Sequence, residues 1–239
     1  MGEGYMNIKL CPIKIFKLNL YLILFLLLAG ILSGVSKIYL TDHYLYGLIP
    51  LFDLDHERNI PTFYSTFALI AASILLFFIT CACKSLKLSY AYWLGLSLIF
   101  LFLSIDEMCS LHEQLGPILR EHLKVSGVFY RAWIIPYGIA FAIFVVIYVK
   151  FLLSLPKNII FLFIFAGTIF VVGVIGFEIL GGLQKQLFGV NNILYTFYYI
   201  CEELFEMVGI AIFNYALLLY IVDHFDLITI ETKEGKKDK

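Results

Sequence analysis

Apolar residues occur along the chain in six long runs that are separated by short polar segments. Each run is long enough to cross the hydrocarbon core of a bilayer, which takes about 20 mainly apolar residues in a helix. The runs predict transmembrane helices over residues 18–35, 62–82, 91 into an acidic stretch at 104–114, 132–153, 159–183 and 195–222. We therefore predict an all-α polytopic membrane protein, a bundle of six transmembrane helices.

The segment between the third and fourth runs, residues 112–131, has a different pattern. Its apolar residues Leu115, Ile118, Leu119 and Leu123 recur on one side of a helix, and polar residues occupy the other side. This pattern is typical of an amphipathic helix that lies in the membrane interface. The sequence therefore predicts a short interfacial helix between transmembrane helices 3 and 4.

Composition supports a membrane protein and excludes a soluble domain. The chain is 62% hydrophobic and 15% charged, whereas soluble domains carry about 25% charged residues. With a net charge of -1 and no dense basic segment, nothing indicates binding to nucleic acid. We predict an N-terminal segment at 1–17, one transmembrane domain at 18–222 and a tail at 223–239.

The distribution of basic residues predicts the orientation. Eleven of the seventeen Lys and Arg residues fall in the N-terminal segment, the turns at 83–90 and 150–158, and the tail. Basic residues are enriched in cytoplasmic loops. The chain is therefore expected to have both termini in the cytoplasm, with helices 3 and 5 running outward and helix 6 running inward.

This topology brings acidic residues from separate helices to one depth near the outer face. Asp106 and Glu107 lie toward the outer end of helix 3, and Glu178 lies toward the outer end of helix 5. Glu202 and Glu203 lie about two turns into helix 6 from its outer start. The acidic segment 53–59 precedes helix 2 on the same side. Ionisable residues inside a membrane are costly and are usually functional.

The convergence indicates cation binding or proton sharing, because several carboxylates in a small volume cannot all stay ionised. Imidazole together with carboxylate is a ligand set for iron, manganese or zinc. The predicted metal ligands are Asp106, His112, Glu113, Glu178, Glu202 and Glu206. Glu107 and Glu203 are the predicted catalytic residues. The Glu-x-x-His motif of dinuclear helical bundles is absent, since Cys109 stands three residues before His112.

Three functions remain open on these residues. The first is a metal-dependent membrane enzyme that acts on a lipid or lipid-linked substrate. The second is a cation- or proton-coupled transporter, although no charged residue recurs in the inner halves of the helices. The third is a non-catalytic membrane assembly protein in which the carboxylates reach the interface or pair with basic residues.

Two segments of the chain resemble a known pattern. They are Phe52-Asp-Leu-Asp-x-Glu-x-Asn-Ile-Pro-Thr62, and Leu103-Ser-Ile-Asp-Glu107 with Leu111-His-Glu113. The pattern is similar to that of an uncharacterised family of bacterial multi-pass membrane proteins. The resemblance implies a bacterial plasma membrane location, and it implies no activity.

Overall fold

The computed structural model describes residues 11–39 and 47–225. Its helices are α1 (Pro12–Tyr39), α2 (Leu48–Leu51), α3 (Ile60–Ser85), α4 (Ala91–Cys109), α5 (Leu111–Leu123), α6 (Ile134–Leu153), α7 (Lys157–Phe188) and α8 (Ile193–His224). Among the described residues, all of these except α2 and α5 are long and apolar enough to cross a membrane, which makes six. The predicted all-α class with six such helices is confirmed. The first ten residues and the tail from 226 onward, which we predicted to be cytoplasmic, lie outside the described residues.

Four of the observed helices, α1, α3, α7 and α8, extend beyond the predicted apolar runs, whereas α4 ends at Cys109 and α6 begins at Ile134. Helix α1 begins at Pro12 and ends at Tyr39, whereas its apolar run covers 18–35. Hydropathy marks the part of a helix that suits hydrocarbon, and the backbone hydrogen bonds continue past it into the polar interface. Charged residues such as Lys14 and Lys37 therefore belong to the helix although they end the apolar run.

Helix α8 is central to the bundle and packs against α1, α3 and α7. Small residues make this packing close: Gly209 and Ala216 of α8 are buried. Helices α3 and α4 pair through a reciprocal contact in which the Ser73 hydroxyl donates to the Ser97 carbonyl at 2.8 Å and the Ser97 hydroxyl donates to the Ser73 carbonyl at 2.9 Å. Close backbones and hydrogen bonds between helices are typical of membrane bundles.

Helix α6 is only loosely packed. Its most apolar stretch is 6% buried, compared with 50% in α3 and α8. Near its C-terminal end, Tyr148 and Phe151 contact Tyr92 and Trp93 at the start of α4. At its N-terminal end, Trp133 and Tyr137 make hydrogen bonds to carboxylates. A space is left beside the middle of α6, between these two regions of contact.

One end of the bundle carries most of the acidic residues. Helices α1, α4 and α7 end there, and α3, α6 and α8 begin there. The loop at 52–59 and helix α5 lie at the same end. We call this the acidic end and the opposite one the basal end.

Candidate functional site

The loop at 52–59 is fixed to the bundle by buried charges. Lys37 of α1 lies 2.8 Å from a carboxylate oxygen of Asp53 and 3.3 Å from one of Asp55. The Tyr195 hydroxyl of α8 donates to the second oxygen of Asp55. The loop is therefore attached to two helices before it leads into a third.

The loop ends where Asn59 caps α3. The Asn59 side-chain oxygen accepts from the Thr62 amide at 3.1 Å, and its nitrogen donates to the Asp53 carbonyl at 2.6 Å. Pro61 stands in the first turn, where a missing N–H costs nothing. Most of the Asp-Leu-Asp and Asn-Ile-Pro-Thr residues thus build the loop, and Glu57 is left to face the site.

His112 lies between two carboxylates from different segments. Its Nδ1 is 3.2 Å from Asp106 Oδ2 and its Nε2 is 3.2 Å from Glu57 Oε1. The other oxygen of Asp106 accepts from the His112 amide at 3.0 Å and from the Tyr137 hydroxyl at 2.9 Å. Ser110, at φ 56°, makes the left-handed turn between α4 and α5 that brings His112 back to Asp106.

The charge state of His112 follows from these neighbours. Burial lowers its pKa, but the hydrogen bond to Asp106 and the carboxylate of Glu57 outweigh burial and raise the pKa to about 9. Burial raises the pKa of Glu57, and the charge of His112 opposes that rise. His112 is therefore an imidazolium at neutral pH that donates to both sides, and binding a metal would require one ring nitrogen to leave its carboxylate.

The His112 contacts predict a pH-dependent stability. The folded-state pKa of about 9 lies above the ordinary value of 6.5, so the stabilisation is present below pH 6.5 and lost as the pH rises through 9. The difference corresponds to about 3 kcal/mol. We expect the melting temperature in detergent to fall between pH 7 and 10, and we expect His112→Gln to flatten that fall. His122→Gln, which changes an exposed histidine of the same helix, should leave the fall unchanged; an equal flattening by both variants would contradict the assignment.

A second ion cluster surrounds Arg131, which precedes α6. Arg131 Nη1 lies 2.9 Å from Glu113 Oε1, and its Nε lies 3.1 Å from Glu178 Oε1 without a hydrogen-bond alignment. The Trp133 indole N–H donates to the same oxygen of Glu178 at 3.1 Å. Burial lowers the pKa of Arg131, and Glu178 and Glu113 outweigh it and raise that pKa. The cluster joins α5, α6 and α7 at the acidic end.

Glu178 follows directly on a π-helical segment of α7 at Val172–Phe177. A π segment shifts the register of the helix that follows it, and such segments are frequent at functional sites. Gly173 within it approaches α8 so closely that a Cβ there would lie 2.9 Å from Phe205 Cβ and 3.0 Å from the Glu202 carbonyl oxygen. The segment therefore sets both the direction of Glu178 and the spacing of α7 from α8.

Four further carboxylates, on α4 and α8, line the site without a basic partner among the described residues: Glu107, Glu202, Glu203 and Glu206. Glu202 lies beside Glu178, and Glu203 lies within electrostatic range of Glu107. In the described part of the chain, no group of three or more His, Cys, Asp or Glu side chains is arranged to hold a metal ion. The acidic end thus combines paired carboxylates with ones that have no ion pair.

The four carboxylates without an ion pair open on a cavity of about 560 Å³, together with the His112 and Arg131 clusters. Nine carboxylates line its acidic end: Asp55, Glu57, Asp106, Glu107, Glu113, Glu178, Glu202, Glu203 and Glu206. The rest of the cavity, which we call the apolar arm, runs toward the basal end between α4, α6, α7 and α8. It is lined by apolar and aromatic side chains such as Phe100, Phe144, Phe163 and Phe213. A volume of this size is within the range of ligand pockets.

Every residue that the sequence singles out as a ligand or catalyst lines this one cavity, and their roles stay predictions. Three residues that hold the predicted ones in place are not among the site residues predicted from the sequence: Glu57, Trp133 and Tyr137. Trp133 and Tyr137 stand one turn apart at the start of α6. Aromatic residues at a membrane interface are so common that this spacing alone carries no functional signal.

Comparison with known proteins identifies a family. Neither the curated proteins nor the solved structures include a match to this chain. A family model matches residues 20–221, which is most of the chain. The expectation of an uncharacterised family with no known activity is confirmed: the chain belongs to the family described as a domain of unknown function, DUF8692.

Proposed function

We propose that this protein is a membrane-embedded, metal-dependent enzyme that acts on the polar group of a lipid or lipid-linked substrate. The observation that carries the proposal is the continuity of the cavity, which joins nine carboxylates to an apolar arm in one space. An enzyme for lipids needs both surfaces, because the reacting group requires polar catalysts and the chain requires hydrocarbon-like surroundings.

Glu107 and Glu203 are the proposed acid and base. They come from α4 and α8, line the same part of the cavity and lie within electrostatic range of each other. One of the two carboxylates would act as the base and the other as the acid. In a hydrolysis, the base takes a proton from water and the acid returns one to the leaving group.

The proposed cofactor is a divalent first-row metal, iron, manganese or zinc. Glu202 and Glu206 carry no ion pair among the described residues and are the ligands most readily available. The described side chains do not form a ready-made ligand set, so carboxylates would rotate on binding. A bound metal would activate water or polarise the group attacked.

The apolar arm favours an enzyme over an ion transporter. Toward the basal end, the cavity is lined by residues such as Val149, Phe151, Leu152 and Phe163, and none of its described lining residues there is ionisable apart from Tyr148. An ion path would need polar groups at that depth. We further propose that the acidic end faces the periplasm of a bacterial plasma membrane, with both termini cytoplasmic, as the basic residues predict.

The first test is elemental analysis of the purified protein. We expect about one equivalent of iron, manganese or zinc in the unaltered chain and its loss in Glu202→Gln and Glu206→Gln, because removal of an anionic ligand weakens a hard-metal site. Glu121→Gln, at an exposed carboxylate of α5, should keep the metal. Absence of metal even after reconstitution would contradict the proposed metal dependence.

Activity is tested by incubating the protein with bilayer lipids and analysing the products by mass spectrometry. We expect Glu107→Gln and Glu203→Gln to lower the turnover by roughly 10²–10⁴-fold, the usual contribution of a general acid or base. Both variants keep a hydrogen-bonding amide, so their melting temperatures should stay close to that of the unaltered protein. Turnover that survives in both would exclude them as catalysts, and absence of turnover in the metal-loaded protein would favour a non-catalytic role.

A further inference from the structure

The apolar arm is open toward the bilayer. Helix α6 forms its outer wall and is the least buried of the membrane-spanning helices described here. Phe141, Val145 and Val149 of α6 line the cavity and are exposed at the same time. A hydrocarbon chain can therefore enter sideways past α6 without leaving apolar surroundings.

We propose that the cavity binds one membrane lipid that carries an amine in its head group, with the amine among the carboxylates and one hydrocarbon chain in the apolar arm. This lipid is the substrate class of the enzyme proposed above, and its reaction rests on that proposed function. Binding itself is independent of catalysis and is measured separately.

The excess of carboxylates over basic side chains at the acidic end favours a lipid with an amine in its head group. Arg131 lies between Glu113 and Glu178, and His112 lies between Asp106 and Glu57, so neither is free to attract an anion. Nine carboxylates line the acidic end, and three basic side chains of the described structure pair with them: Lys37, His112 and Arg131. Together with a divalent ion these side chains would supply at most five positive charges. A lipid with a net anionic head meets repulsion there, whereas the ammonium group of an amine-bearing head is attracted to the carboxylates.

The arm also has a defined end. Along α6, its lining extends from Tyr137 to Leu152, a span of about 22 Å at 1.5 Å per residue. At the basal end, Phe151 of the lining contacts Tyr148, which also lines the arm, and Trp93, which lies behind it. They form a floor, so the arm accommodates a long chain up to a limit.

Two glycines provide a matched test of the arm. Gly167 of α7 lines the cavity, and a Cβ built there has no atom within 4 Å. Gly138 of α6 has the same free space and is not part of the lining. An added Cβ has free space at both positions, but only Gly167→Phe places its side chain in the lining of the arm.

The experiment uses the full chain in nanodiscs that contain phosphatidylethanolamine with a photoactivatable diazirine halfway along one acyl chain. We expect cross-links to lining residues such as Phe163 and Phe213, lowered about tenfold in Gly167→Phe and unchanged in Gly138→Phe. Cross-links confined to the outer surface of the bundle, or equal loss in both variants, would overturn the proposed chain site.

The same probe with a phosphatidylglycerol head tests the amine. We expect roughly tenfold less cross-linking in the arm from this anionic lipid, the ratio that 1.4 kcal/mol produces. In the double variant Glu202→Gln with Glu206→Gln, we expect the difference between the two lipids to be smaller. Equal labelling by both heads would overturn the amine assignment. Labelling of the arm in a protein that lacks metal and turnover would contradict the proposed enzyme while this binding site stands.

Discussion

Arg131→Met is expected to lower the free energy of unfolding in detergent by about 3–5 kcal/mol, the usual cost of removing one partner from a buried ion pair. The side chain of Glu178 is only 5% exposed, and Arg131 is its cationic partner in the described structure. Without Arg131, Glu178 retains the Trp133 indole as a donor but has no basic partner among the described residues. At about 2–4 °C per kcal/mol for a chain of this size, the melting temperature should fall by roughly 6–20 °C.

The control and the rescue separate charge from packing. Arg120→Met changes an arginine that lies over the Tyr130 ring and should cost less than about 1 kcal/mol. Adding Glu178→Gln to Arg131→Met should recover part of the stability, because an amide oxygen still accepts from Trp133 and carries no charge. A double variant no more stable than Arg131→Met would show that the arginine acts through packing instead.

Hydropathy predicts the number and class of the helices well, because the bilayer imposes both. Its hydrocarbon core sets the length of each apolar run, and its lack of water forces each run to form a helix. The same reasoning cannot predict helix ends, which depend on local caps such as Asn59 of α3. Nor does it reveal that α6 is loosely packed, because its apolar run is as strong as those of the buried helices.

The depth of the candidate site was predictable, and its contacts were not. Asp106 and Glu178 fall near helix ends that alternate in direction, so their common level follows from counting crossings. Their partners Tyr137 and Trp133 are 31 and 45 residues away in sequence. Which side chain meets which depends on the rotation of each helix about its axis, and the π segment before Glu178 alters that rotation without an unusual sequence.

The two resembling sequence segments also differ in what they do. In the segment at 52–62, the aspartates bind Lys37, the asparagine caps α3 and the proline stands in the first turn of that helix. Those residues build a rigid loop. The segment at 103–113 instead supplies Asp106, Glu107 and His112 to the cavity. A sequence pattern records both kinds of residue alike, and only the contacts distinguish the supporting residues from the ones that face a ligand.

Gly209→Ala is expected to destabilise the protein although alanine is the better helix former. A Cβ at Gly209 of α8 would lie 2.9 Å from Phe170 Cβ, 3.0 Å from the Phe170 amide nitrogen and 3.1 Å from the Ala166 carbonyl oxygen of α7. Two of these neighbours are backbone, so α7 has to move away as a whole. Overpacking of this kind costs about 1–3 kcal/mol, more than the roughly 1 kcal/mol that alanine gains over glycine in a helix.

Gly138→Ala is the control, and we expect it to change the stability of the protein in the opposite direction. Its Cβ has no neighbour within 4 Å, so alanine should stabilise the protein by up to about 1 kcal/mol. Gly209→Leu should separate α7 from α8 further and leave little folded protein after extraction. Because Gly209 lines the cavity beside Ala166 and Phe170, Gly209→Ala should also weaken labelling of the arm by the lipid probe. Equal melting temperatures for Gly209→Ala and Gly138→Ala would contradict the close contact of α7 and α8, and with it the shape of the cavity on which the proposed lipid site depends.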